Sequence, residues 1–453
     1  MGLVRVFWLM LGLFVQVAMA AETLPEHQSY TLDNGLQVVV IREGRAPLVV
    51  TQVWYRVGSY DEQEGITGIS HMLEHMMFQG TERVAPGQYS KQIARLGGHD
   101  NAATSQDYTF YYSTLAKEHL ATALQLEADR MRNLVLTEAE FQQENKVVQE
   151  ERRMRVENSP QARIQEQYGK ILYGQHPYSH PVIGWMSDVQ GLNVAKLKGW
   201  YQRYYAPNNA TLVVAGDVDF EHTRQLVLRY FGPLQADASV QPPVVAPWQP
   251  HTQRQVLNYS DAQVRRATWM ASWLVPHNGG GADQRESYAL KLAVQLLDGG
   301  ISNRLQRLTQ SAGGLVNAGA SYSMFGRGPA SFSLYAMPQK GVSMKQVEAM
   351  MMTEITRLAT QPASPDELRK VKNGLLASQI YARDSVQGIA NVVGRLNALG
   401  LEWQSYYRDF EARVEQVTPE EIQQVVQRYL QPQQALIGTL TPALEETAQE
   451  NQG

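Results

Sequence analysis

Residues 236–247 read Ala-Asp-Ala-Ser-Val-Gln-Pro-Pro-Val-Val-Ala-Pro. This run of proline and small residues reads as a linker, and it divides the chain into two parts of similar size. The parts look like weak copies of each other. Each opens with a strand-like segment, 36–41 in the first and 266–271 in the second, and continues into a helix that ends near glycine. Each then gives a strand pair around an Asn-Ala, at 101–104 and 317–320, leading to the alternating runs 109–112 and 331–335. Later helices begin at the caps Thr137 and Ser364. The predicted fold class is therefore α+β: two homologous two-layer halves, each an antiparallel or mixed sheet packed with helices. The expected divisions are 21–235, a linker at 236–254, 255–445, and a polar disordered tail at 446–453.

Inside the first half lies an apolar segment, residues 70–79, that carries His71, Glu74 and His75. Residues four apart share one face of a helix, so both imidazoles can point at one ion. A carboxylate three residues after the first histidine lies beside both and can take a proton from an activated water. Two imidazoles and a carboxylate among Ile69, Met72, Leu73, Met76 and Phe78 need a reason to be buried. The H-x-x-E-H order is a zinc-site pattern, the H-E-x-x-H motif read backwards.

Composition narrows the choices. The chain has 43% apolar and 19% charged residues, as in an ordinary globular protein, and a net charge of -4 leaves no footprint for nucleic acid. With no cysteine, disulfides and thiolate ligands are excluded. Any zinc must use histidine and carboxylate, the donor set of a catalytic site with an open position. Arg5, a short apolar run and Ala18-Met19-Ala20 predict a secretory signal peptide over residues 1–20, and hence a periplasmic protein.

Two histidines leave a catalytic zinc one ligand short. The helix predicted from Thr137 offers Glu144, Glu150 and Glu151. Val147 and Val148 mark its apolar face, Glu151 shares that face, and Glu144 lies seven residues before it, nearly aligned. Glu150 points away. The competing reading is a solvated cluster with Arg152 and Arg153.

His71-x-x-Glu74-His75 followed by Glu144-x6-Glu151 resembles the pitrilysin/insulysin family of zinc metallopeptidases, and the two-half size resembles its mitochondrial-processing-peptidase-like branch. The segments 32–36, 97–102, 204–210 and 214–218 also resemble that family. The resemblance implies one zinc on His71, His75 and Glu151, Glu74 as general base and Glu144 as support for a ligand. It also implies an edge strand in which Asn101, Ala102 and Thr104 pair with a peptide substrate. It implies a zinc endopeptidase acting on peptides or unfolded segments. The alternative is a non-catalytic binding subunit that kept the fold.

The second half departs from the pattern. The position matching Glu151, counted from the helix caps, is Ser378. Active relatives carry an Arg and a Tyr in the second half; the matching positions here are Gln310 and Asn317. Arg304 and Arg307 read as helix-surface charges and Tyr322 as a strand residue. The resemblance therefore implies a heterodimer whose partner supplies the Arg/Tyr pair, with a homodimer as the other possibility. The loop 176–181, with two histidines and two prolines, is expected not to bind metal.

Overall fold

The computed structural model describes residues 24–240, 247–278, 284–300, 303–310 and 313–443. The predicted signal segment and the tail 446–453 lie outside the described residues. The first sheet contains β1 (His27–Thr31), β2 (Gln37–Arg42), β3 (Leu48–Tyr55), β4 (His99–Thr104), β5 (Thr109–Ala116) and β6 (Ala210–Gly216). Their order is β1-β2-β6-β3-β5-β4. The second contains β7 (Gln255–Asp261), β8 (Thr268–Val275), β9 (Leu315–Tyr322), β10 (Ala330–Pro338) and β11 (Leu436–Pro442), ordered β7-β11-β8-β10-β9.

Leaving out β1, the two orders coincide strand for strand. β2 runs parallel to β6 and β7 parallel to β11, while the remaining neighbours in both sheets are antiparallel. The helices repeat as well: Ile69–Met76 corresponds to Gln284–Asp298, Glu138–Arg152 to Pro365–Ala382, and Pro160–Tyr173 to Val386–Ala398. The fold is thus α+β with two homologous halves. One matching of segments needs correction. The strand at 266–271 corresponds to β3, not to the strand at 36–41. The true counterpart of β2 is β7, whose exposed, polar sequence gives little apolar signal beside the linker.

The near-continuous apolar runs of the first sheet have a physical cause. Val38, Val40, Val49, Val53, Leu212 and Val214 point into the core of the first half. Their neighbours Val39, Ile41, Val50, Trp54, Val213 and Ala215 point into a core shared with the second half. A sheet covered on both faces loses the polar alternation of a half-solvated one.

The cover on the second face is exchanged between the halves. Helix Val386–Ala398 lies on the first sheet, where Gln52 Nε2 donates to Asn391 Oδ1 at 2.8 Å. Gly394 meets Trp54 there so closely that a Cβ would stand 2.0 Å from the indole nitrogen. In return, helix Pro160–Tyr173 lies on the second sheet, and Tyr168 Oη donates to the Leu436 carbonyl at 2.6 Å. Each half contributes the same element to the other, so neither sheet is covered without its partner.

Candidate metal centre and its cleft

The helix Ile69–Met76 starts at Gly68, which has a left-handed φ of 85°. A Cβ on Gly68 would lie 2.6 Å from the Ile183 carbonyl, so two loops touch backbone to backbone there. The first backbone N–H groups of a helix have no partner inside it. Here the buried carboxylate of Glu62 accepts from Gly68 N at 2.7 Å and from Ser70 N at 2.9 Å. Burial pushes the Glu62 carboxyl up to about 8, against the pull of those two N–H groups. Asp188 ties down the preceding loop, accepting from Thr67 Oγ1 at 2.7 Å and from Gly65 N at 3.0 Å.

The helix Glu138–Arg152 begins at Thr137, whose side chain accepts from Glu140 N. Asn145 anchors it by donating to the Val189 carbonyl at 2.8 Å. At its end Arg152 is buried, paired with Glu166 at 2.7 Å and donating to the Gly184 carbonyl at 2.6 Å. This differs from a solvated cluster with Arg152 and Arg153: Arg152 is buried, and only Arg153, half-buried, pairs with the exposed Glu150. A π-helical turn, Arg153–Glu157, follows directly.

These two helices bring His71, His75 and Glu151 together. His71 Nε2 lies 3.7 Å and His75 Nε2 3.2 Å from Glu151 Oε2. The three donor atoms fall within 4.8 Å of one another, the one such group among the described residues. The other oxygen of Glu151 pairs with Arg155 at 2.7 Å, one turn on. Burial drives the His71 pKa down to about 3, with the charges of His75 and Arg155 adding to it, so the imidazole is neutral at pH 7. His75 is also buried, but the hydrogen bond it donates to the Glu144 carboxylate and the charges of Glu151 and Glu74 overcome this and raise its pKa.

Glu144 faces the far nitrogen of His75, Nδ1, at 3.4 Å and accepts from Gln79 Nε2 at 2.8 Å. Glu74 stands beside the group, its pKa raised by burial and restrained by Thr104, whose hydroxyl donates to Oε2 at 2.5 Å. The donor set fits zinc: two imidazoles and one carboxylate oxygen converge, one imidazole held neutral, with no thiolate in the chain.

A cleft of about 1360 Å³ opens over the centre. β4 is an edge strand, paired on one side by β5, and its residues Asn101, Ala102, Ala103 and Thr104 line the cleft. Across from them stand Val147, Met154, Ala162, Tyr173 and His180. Val147 is 45% and Met154 73% exposed, so apolar side chains face this cleft, and Val147, which the sequence pattern puts on the apolar face of its helix, is not packed. The Thr104 side chain is committed to Glu74. His176 accepts from Tyr178 N at 3.1 Å and serves its own loop.

In the second half, Ser378 donates to the Leu375 carbonyl within its helix. Gln310 and Asn317 are exposed, and neither lines the metal cleft. Arg304 is not a surface charge: its side chain is 11% exposed and paired with Glu367 at 2.9 Å. Tyr322 is a strand residue whose hydroxyl donates to the Pro276 carbonyl. Three contributions had no sequence signal: the cap by Glu62, the brace by Thr104 and the buried placement of Arg152, each of which depends on a contact between separate elements. Arg155 was missed although a signal existed, since it lies four residues after Glu151, one helical turn on.

Comparison with known proteins agrees with this architecture. The profile of Insulinase (Peptidase family M16) matches residues 37–184, and that of the Peptidase M16 inactive domain matches 191–375. The zinc protease PqqE of Helicobacter pylori is 31% identical over 378 residues, covering 82% of this chain and 84% of that one. A probable mitochondrial-processing peptidase subunit beta of Arabidopsis thaliana is 24% identical over 429 residues, 92% of this chain and 79% of that one. The crystal structure of a protease from Helicobacter pylori superposes with a TM-score of 0.85 at 28% identity, over 93% of this chain and 100% of that one. With the family models matched over residues 37–184 and 191–375 and a named zinc protease 31% identical, the chain belongs to peptidase family M16, the insulinase family.

Proposed function

We propose that the chain is a zinc-dependent endopeptidase acting on peptides or unfolded polypeptide segments, with one zinc held by His71, His75 and Glu151. The observation that carries this reading is the convergence of three donors within 4.8 Å beside Glu74, at the foot of a cleft bordered by an unpaired strand edge. Bound zinc would lower the pKa of a water and polarise a carbonyl. The rest is the work of the chain. Asn101 and Ala102 offer backbone groups that align an extended peptide as an added strand. Glu74 Oε1 receives the proton of the attacking water and returns it to the leaving amine, while Oε2 stays fixed by Thr104. Glu144 holds His75 with Nε2 turned to the metal.

The reading includes a partner. With Gln310 and Asn317 at the positions where the family resemblance implies an Arg and a Tyr, the chain is in this reading the catalytic subunit of a two-subunit peptidase. The relative named as a beta subunit supports the comparison. The signal-like pattern of residues 1–20 supports a periplasmic location for the chain in this reading.

The test is turnover of a quenched fluorescent peptide by the chain alone and with a homologous partner, with zinc measured on the same samples. Glu74→Gln is expected to keep zinc and lose hydrolysis, and Glu151→Ala to lose zinc. Full zinc occupancy in Glu151→Ala overturns the ligand assignment, and persistent turnover by Glu74→Gln removes it as the base. Alanine at Gln310 or Asn317 is expected to leave turnover near wild type.

A further inference from the structure

The second half carries a cavity of about 540 Å³ built from the same elements as the metal cleft. Lys291 comes from the helix Gln284–Asp298, the counterpart of the motif helix. Gln379 comes from Pro365–Ala382, the counterpart of the helix bearing Glu151, one position beyond Ser378. Ser321 and Tyr322 end β9, the counterpart of the edge strand β4. Val392, Arg395 and Leu396 come from the exchanged helix, whose counterpart lines the metal cleft with Ala162, Gln165 and Tyr173.

The chemistry of this site is inverted. No carboxylate lines it, and two cations do. Burial, helped by the nearby Arg395 charge, holds the Lys291 ammonium below the ordinary lysine range. Arg395 Nε is buried without a hydrogen bond, its Nη2 donates at 3.4 Å to Ser323 Oγ and at 3.3 Å to the Phe325 carbonyl, and its guanidinium lies 6.0 Å from the centre of the Phe325 ring. Two half-buried like charges beside a cavity with no anion among its walls are a costly arrangement unless something negative enters. The hydroxyls of Ser321 and Ser331 add donors, while Phe325, Leu396 and Phe410 give apolar walls.

We propose that this cavity binds the terminal carboxylate of an apolar amino acid or short peptide, with the carboxylate on Lys291 and Arg395 and the side chain against Phe325 and Phe410. The inference uses the second half alone and stands whether or not the metal centre turns over peptides. Calorimetric titration of the full chain with N-acetyl-phenylalanine, its C-terminal amide and inorganic phosphate tests it. The acid is expected to bind at least ten-fold more tightly than the amide, to lose about ten-fold in Lys291→Met, and to recover in Lys291→Arg, which keeps the charge. Equal affinity for acid and amide overturns it. So does unchanged affinity in both Lys291→Met and Arg395→Gln, or binding of phosphate without binding of the acid.

Discussion

Thr104 Oγ1 donates a 2.5 Å hydrogen bond to Glu74 Oε2, joining the edge strand that borders the cleft to the helix that carries both imidazoles. Burial raises the Glu74 pKa and this bond lowers it. In the proposed mechanism Glu74 is the general base and works only when deprotonated, so the bond would set how far into acid turnover persists. In Thr104→Val the shape is kept and the donor is lost. The Glu74 pKa then rises further, and the acid limb of kcat/KM moves to higher pH, with turnover near pH 6 falling about ten-fold. Zinc content stays unchanged. A pH–rate profile with parallel metal analysis checks this, and an unmoved acid limb would show that Thr104 does not tune the base.

Glu144 does not line the cleft, yet it faces His75 Nδ1 and is itself held by Gln79. Fixing one ring nitrogen decides which way the other points, and loss of such a contact commonly weakens metal binding 10–100-fold. Glu144→Ala is expected to lower zinc affinity by about that range, measured by competition with a chelator. Gln79→Ala, one contact further out, is expected to have a smaller effect in the same direction.

The halves are locked together near the cleft by Asp61 and Arg327, a buried pair at 2.6 Å with side chains 9% and 6% exposed. The Arg327 guanidinium also stacks on Tyr60 at 4.2 Å, and the backbone N–H groups of Arg327 and Gly328 both donate to Tyr178 Oη at 2.9 Å. Removing one member of a buried pair strands the other and costs roughly 3–5 kcal/mol. Arg327→Met and Asp61→Asn are each expected to lower stability by about that much in urea unfolding. The double variant should lose clearly less than the sum of the two, because neither leaves an unpaired charge behind.

The parts of the site legible in the sequence are those set by local periodicity. Four-residue spacing on a helix puts His71 and His75 side by side, and a helical face aligns Glu144 with Glu151, with caps at Thr137 and Ser364 fixing where each helix begins. What depends on two distant segments meeting was not legible. Arg304 reads as a surface charge until Glu367 is seen against it, and Val147 reads as packed until the cleft is seen to open beside it. β7 has little apolar signal because its polar residues stay exposed at the end of its sheet. The exchanged helices are amphipathic in the ordinary way, and nothing in their period says which sheet they cover.

Glu62 gives a pH dependence whose sign can be worked out. Its carboxyl is pushed up to about 8 by burial, above the 4.5 of an exposed glutamate. The folded chain therefore holds this proton more tightly than the unfolded chain. The stability tied to this group is fully present below about pH 4.5. It is lost as the pH rises towards 8, because the unfolded chain releases the proton first, and it is flat above that. The span is on the order of a few kcal/mol. Glu62→Gln removes the titration while keeping a neutral side chain of the same shape, at the cost of about 1 kcal/mol for one weakened bond to Gly68 or Ser70. The difference in stability between wild type and variant should therefore favour wild type near pH 5 and shrink or reverse by pH 8.5, read from urea unfolding across that range. Because Gly68 and Ser70 open the helix bearing His71 and His75, zinc retention should follow the same trend. A difference that does not change with pH would mean that Glu62 stays ionised in the fold, held by the two N–H groups against its burial.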